Sequence, residues 1–355
     1  MTVFSHEAFA DHEQVVFVSD EATGLKALIA IHDTALGPAL GGCRMYPYAD
    51  EEAALRDVLR LSRGMTYKAA ASGLDLGGGK AVIIGDPRNQ KTPALLRAMG
   101  RAVERLAGRY ITAEDVGTTV ADFAEVRKAT RHVVGLPVEL GGTGDPSPTT
   151  ALGVFYGLAA ATRHRWGAES LSGLHVAVQG LGNVGWHLCR LLHEAGASLT
   201  VSDVDGSLAA KAVATFAART VAPEAIYAVD AEIFAPCAMG AVLDDETALR
   251  LRCGIVGGAA NNQLASEDHG EVLRSRGILY LPDFVINAGG MIRVASERDG
   301  YDPDLVDRGV QGIGRTLLAI LRSAEADGIP TQAAALRLAQ ARLAQARGGR
   351  AALAA

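Results

Sequence analysis

Two lysines twelve positions apart, Lys68 and Lys80 in "GMTYKAAASGLDLGGGK", and an aspartate, Asp115 in "RYITAEDVGTT", are the residues of this chain best suited to moving protons. Of 34 Lys plus Arg only six are Lys, so most positive charge is carried by Arg. A Lys kept in an apolar, glycine-rich stretch is expected to serve as an amine that can lose its proton, which Arg cannot do. Two such groups attract an anionic substrate, and their mutual repulsion with partial burial favours the neutral form a general base requires. The plainer reading leaves both lysines solvated on turns. Asp115 either carries a proton in the same chemistry or serves as N-cap of a helix starting at Gly117-Thr118. The three glycines before Lys80 are expected to let substrate or cofactor approach the backbone closely. A P-loop, the other chemistry of glycines followed by Lys, fails because its opening glycine position holds Leu74 and its Ser/Thr position holds Ala81.

A second constellation lies at residues 180 to 185. "GLGNVG" stands between a β-branched strand, "GLHVAVQ", and a helix, "WHLCRLLHEAG", with another strand, "SLTVSDVDG", behind it. Gly180 permits the tight turn, Gly182 lets the backbone approach a pyrophosphate, and Gly185 allows close helix–strand packing, with Asn183 and Val184 completing the turn at the helix N-terminus. Asp203, 21 positions after Gly182, ends the following strand. A carboxylate there accepts hydrogen bonds from ribose hydroxyls and repels a 2′-phosphate, so NAD is expected over NADP; Asp205 is a possible stand-in. The competing reading is a glycine turn in an unrelated α/β domain. Two amines, a carboxylate and a nicotinamide suit hydride transfer from a carbon bearing nitrogen, with loss of ammonia.

The elements that must position these groups follow from the pattern. Residues 13 to 32 and 81 to 84 read as strands, while "EEAALRDVLRLSRGMTYKAA" and "KTPALLRAMGRAVERLAG" carry the apolar period of helices. The breaker-rich "LGGTGDPSPTT" at 140 to 150 marks a domain boundary or hinge near 145 to 150. A chain of 355 residues with 49% hydrophobic content favours two domains. We expect an α/β fold: an N-terminal α/β substrate domain over 1–148, a Rossmann-type NAD-binding domain over 149–330, separated by a cleft that closes on the reactants, and a helical segment over 331–355 packing back on the first domain. Net charge is −6 without basic runs, which argues against nucleic acid and membrane as partners. The acidic N-terminus lacks the order of a signal peptide, so the cytoplasm is expected. Four widely spaced cysteines and no H-E-x-x-H predict no metal.

"GPALGGCRMYPY", "GMTYKAA", "LDLGGGKAVI", "RYITAEDVGTT", "GDPSPTTALGV", "VQGLGNVGWHLC", "APCAMGA", "GAANNQL" and "DFVINAGGMI" run in order through almost the whole chain. Together they resemble the leucine/phenylalanine/valine branch of the amino acid dehydrogenase family. The resemblance implies that Lys68 binds the substrate α-carboxylate, that Lys80 is the general base activating water, and that Asp115 exchanges protons with the amino group. It implies further that Gly41 and Gly42 line the site through backbone atoms. Thr150, Asn261 and Asn262 then lie near the nicotinamide and its ribose, with Asn287 in a nicotinamide-side loop. A homo-oligomer, dimer or tetramer, is also implied.

Where the glutamate branch holds a side-chain carboxylate with a Lys and a small hydroxyl residue, the matching positions are Leu40 and Val294. Glutamate would lose its charge partner there and is expected to be rejected. Met65, three residues before Lys68 on a helix, faces the same way. With Gly41, Ala113 and Met291 these residues outline a pocket for an apolar side chain. The whole-chain resemblance, not the pocket, implies L-phenylalanine as substrate, giving phenylpyruvate and ammonia; leucine or valine with the same mechanism is the runner-up, because apolar pockets separate close relatives weakly. Outside enzymes, a non-catalytic NAD or amino-acid sensor on the same fold is the alternative.

Overall fold

The computed structural model describes residues 3–298 and 300–354. Its contacts divide the chain into two units. One takes the chain up to Asp145, Val294–Asp302 and the chain from Ala339; the other takes Pro146–Arg293 and Pro303–Leu338.

The first unit is built on a five-stranded sheet of β1 (Gln14–Asp20), β2 (Leu25–Asp33), β3 (Ala39–Tyr46), β4 (Gly77–Ile84) and β5 (Tyr110–Glu114) in the order β1-β2-β4-β3-β5. β1, β2 and β4 run antiparallel, and β3 lies parallel to both β4 and β5. β3, "ALGGCRMY", is a strand that the apolar period did not reveal, because its two central glycines carry no pattern. Asp50 opens the helix Glu51–Ala71 by accepting from Ala53 N–H, with Glu51 and Glu52 in the first turn complementing the helix dipole. Leu55, Val58, Leu59, Ser62, Thr66 and Ala69 form its buried stripe, which packs Leu55, Val58 and Leu59 against Leu28, Ala30 and Val82 of the sheet. The other face is filled by Ile29, Met45, Ile83, Leu96, Met99, Tyr110 and Phe123.

The glycines before Lys80 serve a different purpose from the one expected. A Cβ on Gly78 would overlap the backbone of Thr66, and one on Gly79 would come within 2.7 Å of the Tyr110 ring. Protein, not ligand, fills that space: Gly78 lets the helix Glu51–Ala71 press on β4, and Gly79 makes room for the Tyr110 ring of β5. The helix after β5 also starts later than expected, at Val120. Thr119 caps it in a reciprocal box with Asp122, and Gly117, at φ +81, separates Asp115 from it. Asp115 is therefore not an N-cap.

Two histidines are sealed against the same helix. His12 Nε2 lies 3.0 Å from Leu59 O and 3.1 Å from Ser62 Oγ, and His32 Nδ1 lies 2.9 Å from Thr66 Oγ1. Burial, then the neighbouring His12, lowers His32 from 6.5 to about 4. The unfolded chain thus takes up a proton near pH 6.5 that the folded chain refuses until about pH 4. Stability is whole above pH 6.5 and falls by about 3 kcal/mol as pH drops to 4. Urea unfolding of His32→Gln between pH 7 and 4 should show a shallower loss than the parent chain; parallel curves would refute the assignment.

The second unit holds a parallel sheet of β6 (His175–Gln179), β7 (Ser198–Ser202), β8 (Arg219–Thr220), β9 (Ile233–Pro236), β10 (Ile255–Val256) and β11 (Leu279–Tyr280) in the order β11-β10-β9-β6-β7-β8. Counted from β6 this is the Rossmann order, with the topological switch between β6 and β9. Helices Asn183–Glu194 and Ser147–Trp166 pack on each other, and the latter packs on Pro303–Asp327. Among the described residues, no helix is long and apolar enough to cross a membrane.

Candidate active site

Lys80 enters the first unit's interior because β4 is buried along nearly its whole length, and its residue exposure is 6%. Its Nζ pairs with Asp115 Oδ2. Asp115 follows directly on β5, and its place depends on Gly42: a Cβ there would come within 2.8 Å of Asp115 Cβ. Thr118 locks the turn, its hydroxyl accepting from Asp115 N–H at 2.9 Å while lying 2.9 Å from Cys43 O. Burial pushes the Asp115 carboxyl up, but Lys80 and then Arg44 outweigh it, and the net position is below the usual carboxylate range. Asp115 is thus an anion held against an ammonium inside the protein. Burial pushes the neighbouring Cys43 thiol up to about 12, so it is no nucleophile at neutral pH.

Lys68 occupies the last turn of Glu51–Ala71, half-buried, two residues beyond Thr66, which packs on Gly78; Lys80 lies two residues beyond Gly78. Arg342 closes the same helix end, donating to Ala70 O at 2.9 Å and to Asp75 Oδ1 at 2.9 Å, and so adds a charged donor to a carbonyl that also accepts from Gly73 N–H. Leu40 is buried on β3 beside Gly78, and the Gly41 carbonyl accepts from the Tyr110 hydroxyl at 2.6 Å. Met65 is half-buried. The Ala113 Cβ and a Val294 Cγ both stand 3.9 Å from where a Gly135 Cβ would be, which gathers those two pocket residues around one point. Met291, buried, belongs to the second unit on the helix Gly289–Ser296.

Some residues of this site carried no role in the sequence reading. Arg44, Asp57 and Tyr48 form a charged cluster: Arg44 Nη1 donates to Asp57 Oδ2 at 2.9 Å, the Tyr48 hydroxyl donates to the same oxygen at 2.5 Å, and Arg44 Nε lies 3.4 Å from Asp115 Oδ2. Glu297 was missed as well. It accepts from Gly135 N–H, Thr143 N–H and the Thr143 hydroxyl at 2.6 to 2.8 Å, and so anchors the loop beside Val294. Nothing in the one-dimensional pattern marks either device.

In the second unit the turn after β6 has the form a dinucleotide needs. Gly180 sits at φ +93 with its missing Cβ replaced by Ala238, from the chain beyond β9, so the turn lies at the topological switch. Gly185 packs on Gly180 and Cys237. Gly182 faces open space and precedes the helix Asn183–Glu194 with no side-chain cap, leaving the first N–H groups of that helix for an anion. Asp203 Oδ2 accepts from Leu181 N–H at 2.6 Å and Oδ1 from Asp205 N–H at 2.8 Å, which aims the carboxylate at the glycine turn while each oxygen keeps accepting capacity. Asp205 is spent differently, as N-cap of Gly206–Phe216.

Asn287 Nδ2 donates to Asn261 Oδ1 at 2.8 Å and to Ala259 O at 3.1 Å, while the buried Asn287 Oδ1 has no hydrogen-bond partner among the described residues. Asn262 adopts φ +51 and is exposed. The Thr150 hydroxyl donates to Pro146 O at 3.1 Å and lies against Gly290. An uncapped helix start, an oriented ribose-side carboxylate and an orphaned buried amide oxygen together fit a nicotinamide dinucleotide.

Residues 12–132 match the family model "Glu/Leu/Phe/Val dehydrogenase, dimerisation domain", and residues 141–214 and 209–348 match "Glutamate/Leucine/Phenylalanine/Valine dehydrogenase". The chain is 52% identical to a leucine dehydrogenase of Thermoactinomyces intermedius, covering 97% of this chain and 94% of that one. It is 50% identical to a phenylalanine dehydrogenase of Bacillus thermotolerans, covering 97% and 91%. The crystal structure of L-tryptophan dehydrogenase from Nostoc punctiforme superposes with a TM-score of 0.84 at 49% identity, covering 95% and 97%.

Proposed function

The chain belongs to the glutamate/leucine/phenylalanine/valine dehydrogenase family, NAD-dependent oxidoreductases acting on CH–NH2, and from that premise we propose that it deaminates an apolar L-amino acid with the residues assembled around Lys80. The observation that carries the assignment of roles is the buried ion pair of Lys80 with Asp115. Bound NAD supplies the hydride acceptor. Lys68 holds the substrate α-carboxylate as a cation at a helix end. Asp115, kept ionised by Lys80 and Arg44, takes a proton from the substrate ammonium so that the carbon to be oxidised bears a neutral amine. Lys80, as the neutral amine, takes a proton from the water that adds to the imino carbon; collapse of that adduct breaks the C–N bond and releases ammonia. The glycine turn at 180 to 185 and Asp203 would hold the dinucleotide, with Thr150, Asn261, Asn262 and Asn287 at its nicotinamide end. The "dimerisation domain" of the matched family model supports a homo-oligomer.

For the side chain, we read L-leucine first, ahead of the L-phenylalanine expected from sequence. Support comes from the 52% identity to a leucine dehydrogenase and from the aliphatic character of Leu40, Met65, Ala113 and Val294. The phenylalanine reading keeps its own support in a relative 50% identical. Either way, no cation is among these pocket residues, and glutamate would be left unpaired. The test is NADH formation at alkaline pH with L-leucine, L-valine, L-phenylalanine and L-glutamate, compared as kcat/KM. Leucine should lead and glutamate should trail by at least about 10³-fold, on the scale by which sites reject partners that leave a buried charge unpaired. Silence on all four would return the chain to the sensor alternative.

A further inference from the structure

Arg44 enters the reaction just described only by helping to keep Asp115 ionised, yet it lies on the same carboxylate oxygen as Lys80. It is pinned at its other end by Asp57 Oδ2, which also receives the Tyr48 hydroxyl. Burial, then the hydrogen bond to Asp57, pushes that phenol far above its usual range, so Tyr48 remains a donor and the cluster keeps one arrangement over the working pH range. Asp57 belongs to the helix Glu51–Ala71, which also carries Lys68.

An ammonium buried on a carboxylate of its own is a poor base, because deprotonation would strand the anion. A second cation on that carboxylate changes the balance: it keeps the anion satisfied once the amine is neutral, and it repels the ammonium. We propose that Arg44 is a positioning residue for Lys80, sharing Asp115 so that Lys80 can lose its proton without leaving Asp115 unpaired. This rests on the reading of Lys80 as the general base. The other titratable groups facing Asp115 are Lys80 on β4, Cys43 on β3, and Tyr110 and Glu114 on β5, with Asp145 facing Glu114. Burial raises the Cys43 thiol and the Tyr110 phenol, so both stay neutral and cannot substitute for Arg44. Burial, then Asp145, raises Glu114 as well, and its charge opposes rather than replaces the guanidinium.

The experiment is the pH profile of kcat/KM for amino acid oxidation in the full-length enzyme and its variants. In Arg44→Gln the acid limb should move up by about one pH unit, since an adjacent guanidinium shifts such groups by 1 to 3 units. Arg44→Lys, which keeps the charge, should restore most of the shift. Asp57→Asn removes a negative charge from the far side of Arg44, so its limb should move down, by about half a unit. That opposite sign is a readout that a scaffolding role would not produce, and it stands even where Arg44→Gln does not fold. Lys80→Ala separates the two claims. If the limb persists without Lys80, the base assignment fails and this inference with it. If the limb disappears in Lys80→Ala yet stays at the parent position in Arg44→Gln and Asp57→Asn, the base assignment stands and the role of Arg44 is overturned.

Discussion

Lys80→Ala is expected to lower kcat about 10³-fold while changing the substrate KM by less than about threefold, the pattern of a group acting on protons in the transition state. The magnitude follows from what the side chain does. Its amine is buried and paired with Asp115, so bulk water has little access to take over its role as proton acceptor. Truncation also leaves Asp115 facing Arg44 alone, which keeps the carboxylate ionised and the site charged. Substrate binding should then survive, because in the proposed assignment Lys68, on a separate element, still holds the α-carboxylate. Lys68→Ala should show the converse, with KM raised about 100-fold and kcat reduced much less, since a charged hydrogen-bonded partner is removed from ground and transition state alike. Steady-state kinetics on both variants, with direct substrate binding by calorimetry, decides the matter. Equal losses in both parameters for both variants would undo the division of labour between the two lysines.

The second large effect is structural in cause and functional in outcome. Gly78→Ala places a methyl group on the backbone of Thr66, an atom that cannot rotate away. Overpacking of this kind costs about 3 kcal/mol, the upper end of the usual range, because relief requires the helix Glu51–Ala71 to lift from β4. Lys68 and Lys80 ride on those two elements, so the separation between them should grow with the lift. We expect a lower urea midpoint and a raised substrate KM together, with NAD binding, which belongs to the other unit, unchanged. A stable variant with normal KM would show that the helix can shift without moving the lysines. Gly64, on the same helix with open space where its Cβ would be, is the control: Gly64→Ala should be neutral or slightly stabilising, since Ala favours a helix by about 1 kcal/mol over Gly.

Much of the site was legible without coordinates, and the reason differs by element. The glycine turn at 180 to 185 and Asp203 are local: strand, turn, helix and strand follow within some 25 positions, and each residue type answers to a backbone requirement of its own position. Lys80 was legible because Lys is scarce in an Arg-rich chain, and Asp115 because it follows the end of a strand. The purpose of Gly78 and Gly79 was misread, since a missing side chain looks the same in sequence whether ligand or helix fills its space. The N-cap was misplaced for a similar reason: Asp115 and Thr119 are both competent caps, and only the turn at Gly117 chooses between them.

The sequence by itself determined the fold class and the strand–turn–helix unit around the glycine turn, and it singled out the candidate proton-carrying residues, because these rest on periodicity, backbone geometry and side-chain chemistry that act over short range. Only the tertiary structure decided which charges share a carboxylate. Arg44, Asp57, Lys80 and Asp115 come from two neighbouring strands, a helix packed on them and the turn after a third strand, and Glu297 reaches a loop some 155 positions earlier. The order β1-β2-β4-β3-β5 brings them together, and strand order is set by how whole faces bury, a property that no local stretch of the chain contains.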